Sequence, residues 1–233
     1  MKIETEMKPK REAVPFDKEY FSKKLRSGEN IEVDERFRHI YQRNHWAGDS
    51  SVSGSGSDLS QTEQIRQKLP EIIKTYQIKT ILDIPCGDFG WMKNVNLSGV
   101  HYIGADIVDE LILHNNHSYA DASKTFKKLD VLKDSLPAVD LIFCRDCFVH
   151  FSNKDIFTAL ENVKTSNAGF LMTTTFTECE ENEDIVTGDW RIINLQLPPF
   201  FLPDPVLILN EGCTEGDGTY ADKSLGLWKI SDL

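Results

Sequence analysis

Long hydrophobic runs are absent from this sequence of 233 residues, and so is an excess of positive charge. No apolar stretch approaches the roughly 20 residues that a membrane-spanning helix needs, and the charge-rich residues 1–11 lack the pattern of a secretory signal. The chain has 26 Lys and Arg against 37 Asp and Glu, a formal net charge of −11. Because a general binder of the phosphate backbone needs clustered basic side chains, we expect neither membrane insertion nor nucleic-acid binding.

Cysteine is also scarce, and it shows no framework spacing. An odd set of this kind is typical of a reducing compartment and predicts a cytoplasmic protein; its members are Cys86, Cys144, Cys147, Cys179 and Cys213. Cys144 and Cys147 form a C-x-x-C pair, but the pair follows a strand-like run and encloses the bulky Arg145 and Asp146. The remaining cysteines cannot complete a zinc site, so redox and metal functions are disfavoured.

Composition and segment boundaries indicate one large domain with an N-terminal extension. We predict a charged, partly helical arm over residues 1–45 and a domain over residues 46–233, long enough to bury a full core. Residues 49–57 read D-S-S-V-S-G-S-G-S and must form a loop. Two interpretations of this loop stay open: a flexible linker, or a lid that closes over a ligand and offers Ser hydroxyls as donors.

Hydrophobic periodicity predicts alternating strands and helices in most of the chain. Strands are expected near residues 79–84, 101–106, 125–130, 139–144 and 169–176, and helices near 89–95, 108–120 and 153–165. Such alternation implies βαβ units and a mostly parallel sheet. Two late strand-like runs, 205–209 and 224–230, have no helix between them and predict an antiparallel hairpin.

Capping-box patterns mark the start of two helices. Residues 60–63 read S-Q-T-E ahead of apolar residues at helical spacing, and residues 152–155 read S-N-K-D. Pro70 lies within the first of these helices and should kink or split it, because proline removes an internal hydrogen bond.

The most informative run is T-I-L-D-I-P-C-G-D-F-G at residues 80–90, a short strand that ends on Asp83 and turns through Gly87. The next two predicted strands also end at acids, Asp106 and Asp130. Asp83 could accept from the turn or from a ligand ammonium group, Asp106 from a ribose diol, and Asp130 from an adenine amino group. Each acid alone is more simply a surface-loop residue, but three in register with a glycine turn indicate an adenosine-containing ligand.

The glycine turn departs from the G-x-G-x-x-G fingerprint of dinucleotide sites, because Pro85, Gly87 and Phe89 occupy the positions where it would begin. No grip for a pyrophosphate is therefore evident. An adenosine cofactor without phosphates fits better, and S-adenosylmethionine is the candidate that we favour. Its methyl group is electrophilic, so the protein mainly has to hold donor and acceptor in line.

The run after the fourth strand directs Arg145, Asp146 and His150 towards the same edge of the sheet. A sugar or alcohol hydroxyl is almost un-ionised at neutral pH, so its methylation benefits from a general base. His150, or Asp146 acting with it, is the candidate base. The alternative is that His150 packs at a helix start and that Asp146 is a turn acid.

Residues 188–196 read G-D-W-R-I-I-N-L-Q and lie in an insertion before the hairpin. An aromatic face can stack on a sugar ring, and fixed polar groups can bind its hydroxyls. We therefore predict an acceptor-binding wall made of Asp189, Trp190, Arg191 and Asn194. Structural packing of the insertion is the alternative.

These motifs resemble class I S-adenosylmethionine-dependent methyltransferases. More narrowly, the chain is similar to a branch that shares six motifs with it. They are D-x-P-C-G-D-F-x-W-M at residues 83–92, Y-I-G-x-D-I-V at 102–108, D-L-I-x-C-R-D-C-x-V-H at 140–150, T-T-T-F at 173–176, G-x-W-R-x-x-N-L-Q at 188–196 and D-K-S-L-G-L-W at 222–228. The resemblance covers about residues 46–230. It implies an α/β, Rossmann-like sheet of seven strands in the order 3-2-1-4-5-7-6, with strand 7 antiparallel and helices on both faces.

The resemblance also implies roles for particular residues. The cofactor site that we predict consists of Ser57, Asp83, Pro85, Gly87, Asp106, Ile107, Asp130, Val131 and Arg145, with Ile107 and Val131 flanking the adenine. Members of this branch accompany glycan-building enzymes, so the expected acceptor is a hydroxyl of a sugar or glycan. No N/D-P-P-Y/F signature is present, which disfavours methylation of bases and glutamine.

Two further hypotheses stay open. The acceptor could instead be a small metabolite or a protein side chain. A non-catalytic module that binds an adenosine ligand and regulates a partner through the arm is the other possibility.

Overall fold

Strands and helices alternate along the chain in this computed structural model, which describes residues 17–46 and 51–233. The helices are α1 Tyr20–Arg26, α2 Val33–Arg43, α3 Glu63–Thr75, α4 Asp109–Tyr119 and α5 Asn153–Thr165. The strands are β1 Thr80–Asp83, β2 His101–Asp106, β3 Lys124–Lys128, β4 Leu141–Cys144, β5 Phe170–Phe176, β6 Leu207–Asn210 and β7 Lys223–Lys229. The start of the predicted arm and the loop residues Asp49 and Ser50 lie outside the described residues.

The strands form one sheet in the order β3-β2-β1-β4-β5-β7-β6. Strands β1 to β5 pair in parallel, whereas β7 is antiparallel to both β5 and β6. The predicted sheet order and the predicted antiparallel hairpin are therefore confirmed. Because the parallel strands share a direction, the carboxyl ends of β1, β2 and β4 meet at one edge.

Both faces of the sheet are covered, which is why the central strands read as continuous apolar runs. Along β4, Ile142 and Cys144 belong to the apolar cluster that includes buried residues of α5. Leu141 and Phe143 belong to the opposite cluster, which includes buried residues of α3. The predicted cap of α5 is confirmed, since the hydroxyl of Ser152 accepts from the backbone N–H of Asp155 at 3.2 Å.

Two local predictions were wrong. Residues 89–95 contain only a 3₁₀ turn, Met92–Asn94, because Phe89 adopts a left-handed φ of +57° and the turn buries its apolar side chains against the sheet. The predicted cap at residues 60–63 does not form: α3 begins at Glu63, and the hydroxyl of Thr62 donates to the carbonyl of Asp58 at 3.0 Å.

Pro70 does not split α3, which runs unbroken from Glu63 to Thr75. Its buried stripe of Ile65, Leu69, Ile72 and Ile73 packs on the sheet. Burial of that stripe offsets the hydrogen bond that the proline removes. No helix within residues 17–46 and 51–233 is long and apolar enough to cross a membrane.

Candidate functional site

A cavity lies at the carboxyl ends of β1, β2 and β4, and we call it the main cavity. Its walls contain all the residues that the sequence assigned to a cofactor and to a base: Ser57, Asp83, Pro85, Gly87, Asp106, Ile107, Asp130, Val131, Arg145, Asp146 and His150. Sequence reasoning did not assign a further part of the lining, which helix α2 supplies through Val33, Phe37, Ile40 and Tyr41. The amphipathic pattern of α2 and its aromatic residues were the available signal.

Asp83 ends β1 and is almost fully buried. The hydroxyl of Tyr102 on β2 donates to its carboxylate. Burial raises the pKa of Asp83 to about 7, although the Tyr102 hydrogen bond acts in the opposite direction. Asp83 is therefore a proton-sensitive acid inside the cavity.

Asp106 ends β2, and its carboxylate is fixed by the main chain. The backbone N–H groups of Gly87 and Val108 donate to it at 3.1 and 3.0 Å. Burial raises the pKa of Asp106 to about 6, and these backbone hydrogen bonds limit the rise. Each carboxylate oxygen keeps a second lone pair, so Asp106 can also accept from a ligand.

Asp130 follows β3 at the far side of the cavity. Its carboxylate accepts from the backbone N–H of Leu132 at 2.9 Å and lies 3.4 Å from the ammonium of Lys133. The side chain of Asp130 thus stabilises the turn after β3, and Asp130 also borders the main cavity. Asp83, Asp106 and Asp130 share one hollow, as their strand positions predicted.

The glycine turn comes into close contact with the Ser/Gly loop. Gly87 has a φ of +53°, and a Cβ atom at this position would lie 2.1 Å from the hydroxyl oxygen of Ser53. The carbonyl of Gly87 accepts from the side-chain amide of Asn115 at 2.8 Å. Only glycine provides both the left-handed conformation and the space that Ser53 occupies.

Three groups hold the described part of the Ser/Gly loop, residues 51–57, against the cavity. The carboxylate of Asp88 accepts from the backbone N–H of Val52 at 3.1 Å, and Arg145 donates to the carbonyl of Gly56 at 2.8 Å. The hydroxyl of Ser55 donates to Glu215 at 2.6 Å. These contacts argue against a flexible linker; closure of residues 51–57 over a ligand stays a prediction, and we refer to this segment as the lid.

A network of four charged side chains lies beside the lid; three of them are buried, and Asp146 is partly exposed. Arg145 donates to both carboxylate oxygens of Glu211, at 3.1 and 2.8 Å, and lies 3.1 Å from Asp146. The ammonium of Lys223 lies 2.8 Å from Asp146 and 3.6 Å from Glu211. Sequence reasoning missed Glu211 and Lys223; the available signal was a lysine beside the apolar strand within the D-K-S-L-G-L-W motif.

The surroundings of Asp146 do not favour its predicted role as a base acting with His150. The cations of Arg145 and Lys223 hold the pKa of Asp146 well below its usual range, against the effect of burial. Because both cations already engage this carboxylate, uptake of a proton would weaken two ion pairs. Arg145 is likewise committed to protein groups rather than to a ligand, although it borders the main cavity.

His150 ends a 3₁₀ turn after β4 and is buried. Its Nδ1 lies 3.0 Å from the carbonyl oxygen of Asp189, which can only accept, so Nδ1 carries the proton and Nε2 has the lone pair. Burial lowers the pKa of His150 to about 4, so the ring is neutral at pH 7. Trp46 stacks on the imidazole, with ring centroids 4.3 Å apart.

A second cavity, the side cavity, meets the main cavity at four residues. Trp46, Ser53, Asp146 and His150 border both. The rest of the side cavity is aromatic and polar: Gly54, Ser55, Gly56, Phe176, Trp190, Glu215, Gly216, Tyr220 and Lys223. His150 therefore stands at the junction of two hollows.

Only one residue of the predicted acceptor-binding wall lies at the side cavity. Trp190 borders the side cavity, whereas Asp189, Arg191 and Asn194 do not. The carboxylate of Asp189 accepts from the first backbone N–H groups of α1, and Arg191 donates to the carbonyls of Phe148 and Phe151. Asn194 donates to the carbonyl of Cys179 at 3.3 Å. These three polar side chains hold loops together outside the side cavity, and their predicted contact with an acceptor stays a prediction.

No protein-family model and no curated protein matches this chain by comparison. Solved structures do match its fold. The structure of human N-acetylserotonin methyltransferase in complex with S-adenosylmethionine has a TM-score of 0.56 at 14% identity, and the match covers 90% of this chain and 65% of that one. The chain thus spans less than two thirds of that enzyme's length.

Two further structures match over nearly their full lengths. PH0226 protein from Pyrococcus horikoshii OT3 has a TM-score of 0.55 at 15% identity, covering 82% of this chain and 98% of that one. The methyltransferase domain of bacterial CtHen1-CN has a TM-score of 0.52 at 10% identity, covering 74% and 100%. The fold is that of the class I S-adenosylmethionine-dependent methyltransferases.

Proposed function

We propose that this protein is an S-adenosylmethionine-dependent methyltransferase that methylates a hydroxyl group of a sugar or glycan. The observation that carries the proposal is the meeting of two cavities at His150. The main cavity would take the cofactor, and the side cavity the acceptor. A transfer between two ligands requires such a junction, because the reacting atoms must approach to about 3 Å.

The charges of the main cavity fit a cofactor that is cationic and has no phosphate. Asp83, Asp106, Asp130 and Asp146 border it, and Arg145 is the only Lys or Arg among the described residues of its lining. Arg145 is already paired with Glu211 and Asp146, so it is not available to a phosphate. S-adenosylmethionine carries a sulfonium and an ammonium group. In this proposal Asp106 binds the ribose hydroxyls and Asp130 the adenine amino group, with Ile107 and Val131 beside the ring.

His150 is the proposed base. When bound, S-adenosylmethionine would supply an electrophilic methyl group and release its sulfur as a neutral thioether, and the methylated hydroxyl would give up its proton. Nε2 of His150 takes that proton, because Nδ1 donates to the carbonyl of Asp189. Asp189 thus contributes through its backbone, and Trp46 holds the ring in place by stacking.

A saccharide fits the lining of the side cavity. Trp46, Phe176, Trp190 and Tyr220 offer aromatic surfaces on which a sugar ring can stack. Carboxylates, hydroxyls and an ammonium group stand between them. A closed apolar hollow would favour a small hydrophobic metabolite instead, and this lining is mixed.

Calorimetry tests the cofactor assignment. S-adenosylmethionine and its demethylated product should both bind, and Asp106→Asn should lose affinity by about 10- to 100-fold because the carboxylate loses a charge-assisted hydrogen bond. Glu71→Gln, on the exposed surface of α3, is the matched control and should bind as the original chain does. No binding by the original chain at millimolar concentration would defeat the proposal.

A methyl-release assay over saccharides, small metabolites and peptides tests the acceptor and the base. His150→Gln should keep cofactor affinity and lower kcat by about 10²- to 10⁴-fold, the usual contribution of a positioned base. His117→Gln, on an exposed turn of α4, should have no effect. Full activity of His150→Gln would remove His150 from the mechanism, and cofactor binding without turnover on any acceptor would favour the regulatory module.

A further inference from the structure

A third hollow adjoins the side cavity, and we call it the outer cavity. Trp190 and Tyr220 border both of them. The outer cavity has a volume of about 510 Å³, against about 340 Å³ for the side cavity. The two aromatic side chains therefore lie between the outer cavity and the hollow that His150 borders.

The two aromatic rings that border both hollows are held in place by neighbouring groups. Trp190 and Tyr220 pack edge to face, with centroids 5.2 Å apart at an interplanar angle of 74°. The backbone N–H of Trp190 donates to the carbonyl of Lys18 at 3.1 Å, and Tyr220 also packs against Phe176. A rigid pair of perpendicular rings between two hollows offers one stacking surface to each of two successive ligand units.

The outer cavity is acidic. Five carboxylate side chains border it against three cationic ones, which leaves two negative charges in excess. Most are committed: Asp189 binds α1, Asp184 accepts from two backbone N–H groups, and Arg26 pairs with Glu19. Among the described residues, the carboxylates of Glu181 and Glu183 and the ammonium of Lys18 make no side-chain hydrogen bond or ion pair, and all three are exposed at this rim, which leaves one negative charge in excess among them.

The backbone around these two acids is nonetheless anchored. The carbonyl of Glu183 accepts from Arg191 at 3.2 Å, and the carbonyl of Glu181 accepts from the thiol of Cys179 at 3.2 Å. Both carboxylates are thus carried by a fixed segment and are available to an incoming group. Fixed, unpaired carboxylates attract a cation and repel an anion.

We propose that the outer cavity is a second acceptor subsite, which binds the next unit of an extended saccharide and prefers a unit that carries a protonated amine. This inference rests on the proposed function, since the reacting unit would lie in the side cavity next to His150. A neutral unit binds less well and an anionic unit least, because Glu181 and Glu183 contribute the charge. The acceptor is therefore the end of an oligosaccharide rather than a single sugar.

Binding of defined probes tests the subsite without any turnover. The probes are a glucosamine tetramer, its fully N-acetylated counterpart, a galacturonate tetramer and monomeric glucosamine, each titrated at pH 6 by calorimetry with S-adenosylhomocysteine present and absent. We expect the amine-bearing tetramer to bind at least about tenfold more tightly than the monomer and the galacturonate tetramer. The N-acetylated tetramer should fall between them.

Variants of the rim separate charge from stacking. The double variant Glu181→Gln/Glu183→Gln should weaken the amine-bearing tetramer by about three- to tenfold and leave the N-acetylated tetramer unchanged. Trp190→Ala should weaken both tetramers and leave the affinity for S-adenosylhomocysteine unchanged. Lys18→Gln should strengthen binding of the amine-bearing tetramer, and Glu71→Gln should do nothing.

The proposal of a second subsite would be overturned if the amine-bearing tetramer bound no better than the monomer. It would also be overturned if the affinities of the three tetramers did not depend on their charge. Failure of the proposed function has a different signature. In that case S-adenosylhomocysteine would not bind to the original chain, or the cofactor would bind without methyl transfer to any acceptor, whatever the tetramers do.

Discussion

Three aspartates at the main cavity differ in proton affinity because their neighbours differ. Asp83 and Asp106 are buried with uncharged donors, so the pKa of each carboxyl is raised, to about 7 and about 6. Asp146 is paired with two cations, and its pKa lies well below the usual range. The same residue type therefore serves as a titrating acid at two positions and as a permanent anion at the third.

The raised pKa of Asp83 makes stability depend on pH. Between its unfolded pKa of 3.8 and its folded pKa of about 7, the folded chain holds more protons, so stability is lost as pH rises through this window. Asp83→Asn removes this loss. The free energy of unfolding of the variant minus that of the original chain should rise by on the order of 2 to 3 kcal/mol from pH 5 to pH 8, as measured by urea unfolding.

Glu161→Gln provides the comparison for Asp83→Asn, because it removes a carboxylate from the exposed face of α5. The difference between this control and the original chain should be the same at both pH values. A stability difference for Asp83→Asn that is also flat across the window would contradict the assignment of a raised pKa to Asp83.

Substitution of Gly87 tests the close contact between the glycine turn and the lid. Gly87→Ala requires a left-handed alanine and a Cβ that meets Ser53, so we expect a loss of about 1 to 3 kcal/mol in unfolding free energy. Gly99→Ala also has a positive φ but meets nothing within 4 Å, and should cost less. Adding Ser53→Ala to Gly87→Ala should recover part of the loss; no recovery would mean that strain alone is responsible.

At the scale of elements, the four-charge network joins the end of β4 to β6, β7 and the lid. Glu211 follows β6, Lys223 begins β7, and Arg145 reaches from the end of β4 to the carbonyl of Gly56. Breaking a buried ion pair leaves an uncompensated charge, which is costly because water cannot reach it. The network therefore couples the lid to the far half of the sheet.

Glu211→Gln should lower the free energy of unfolding by about 3 to 5 kcal/mol, as measured in urea, because Arg145 loses its bidentate partner. Arg145→Met combined with Glu211→Leu removes both charges of the pair and should be less destabilising than Glu211→Gln alone. If the double variant lost as much stability as Arg145→Met and Glu211→Leu lose separately, added together, the two side chains would not act as a pair.

At the scale of the whole molecule, segments distant in sequence cover one edge of the sheet. Helix α2 lines the main cavity, and α1 is held by Asp189 from the insertion before β6. The carboxylate of Asp189 accepts from Phe21 at 2.7 Å and from Ser22 at 3.0 Å. The division of the chain at residue 45 stays a prediction.

Asp189→Asn should loosen α1 while leaving the sheet intact. An amide oxygen accepts more weakly than a carboxylate at a helix start, a difference of about 1 kcal/mol. Hydrogen exchange measured by mass spectrometry should therefore accelerate in residues 20–26 and stay unchanged in β1 and β4. Glu29→Gln, which removes an exposed ion pair with Lys24, is the control; equal acceleration in both variants would exclude a specific role for Asp189.

Local patterns in the sequence determined most of the sheet and placed the candidate cofactor residues at its edge. The strands are short apolar runs bounded by polar residues, and each acid at a strand end is adjacent in sequence to the strand that positions it. Because parallel strands align their carboxyl ends, Asp83, Asp106 and Asp130 had to converge once the strands paired. The cap of α5 was equally local, since Ser152 and Asp155 are three residues apart.

Tertiary structure alone decided the rest, because the partners are far apart in sequence. Whether Asp146 is a base or an ion-pair partner depends on Lys223, 77 residues away, and the tautomer of His150 depends on a carbonyl 39 residues away. Arg191 and Asn194 have side chains suited to a ligand, but nearby carbonyls take their hydrogen bonds. A residue's type fixes what it can donate or accept, and only packing fixes which group it meets.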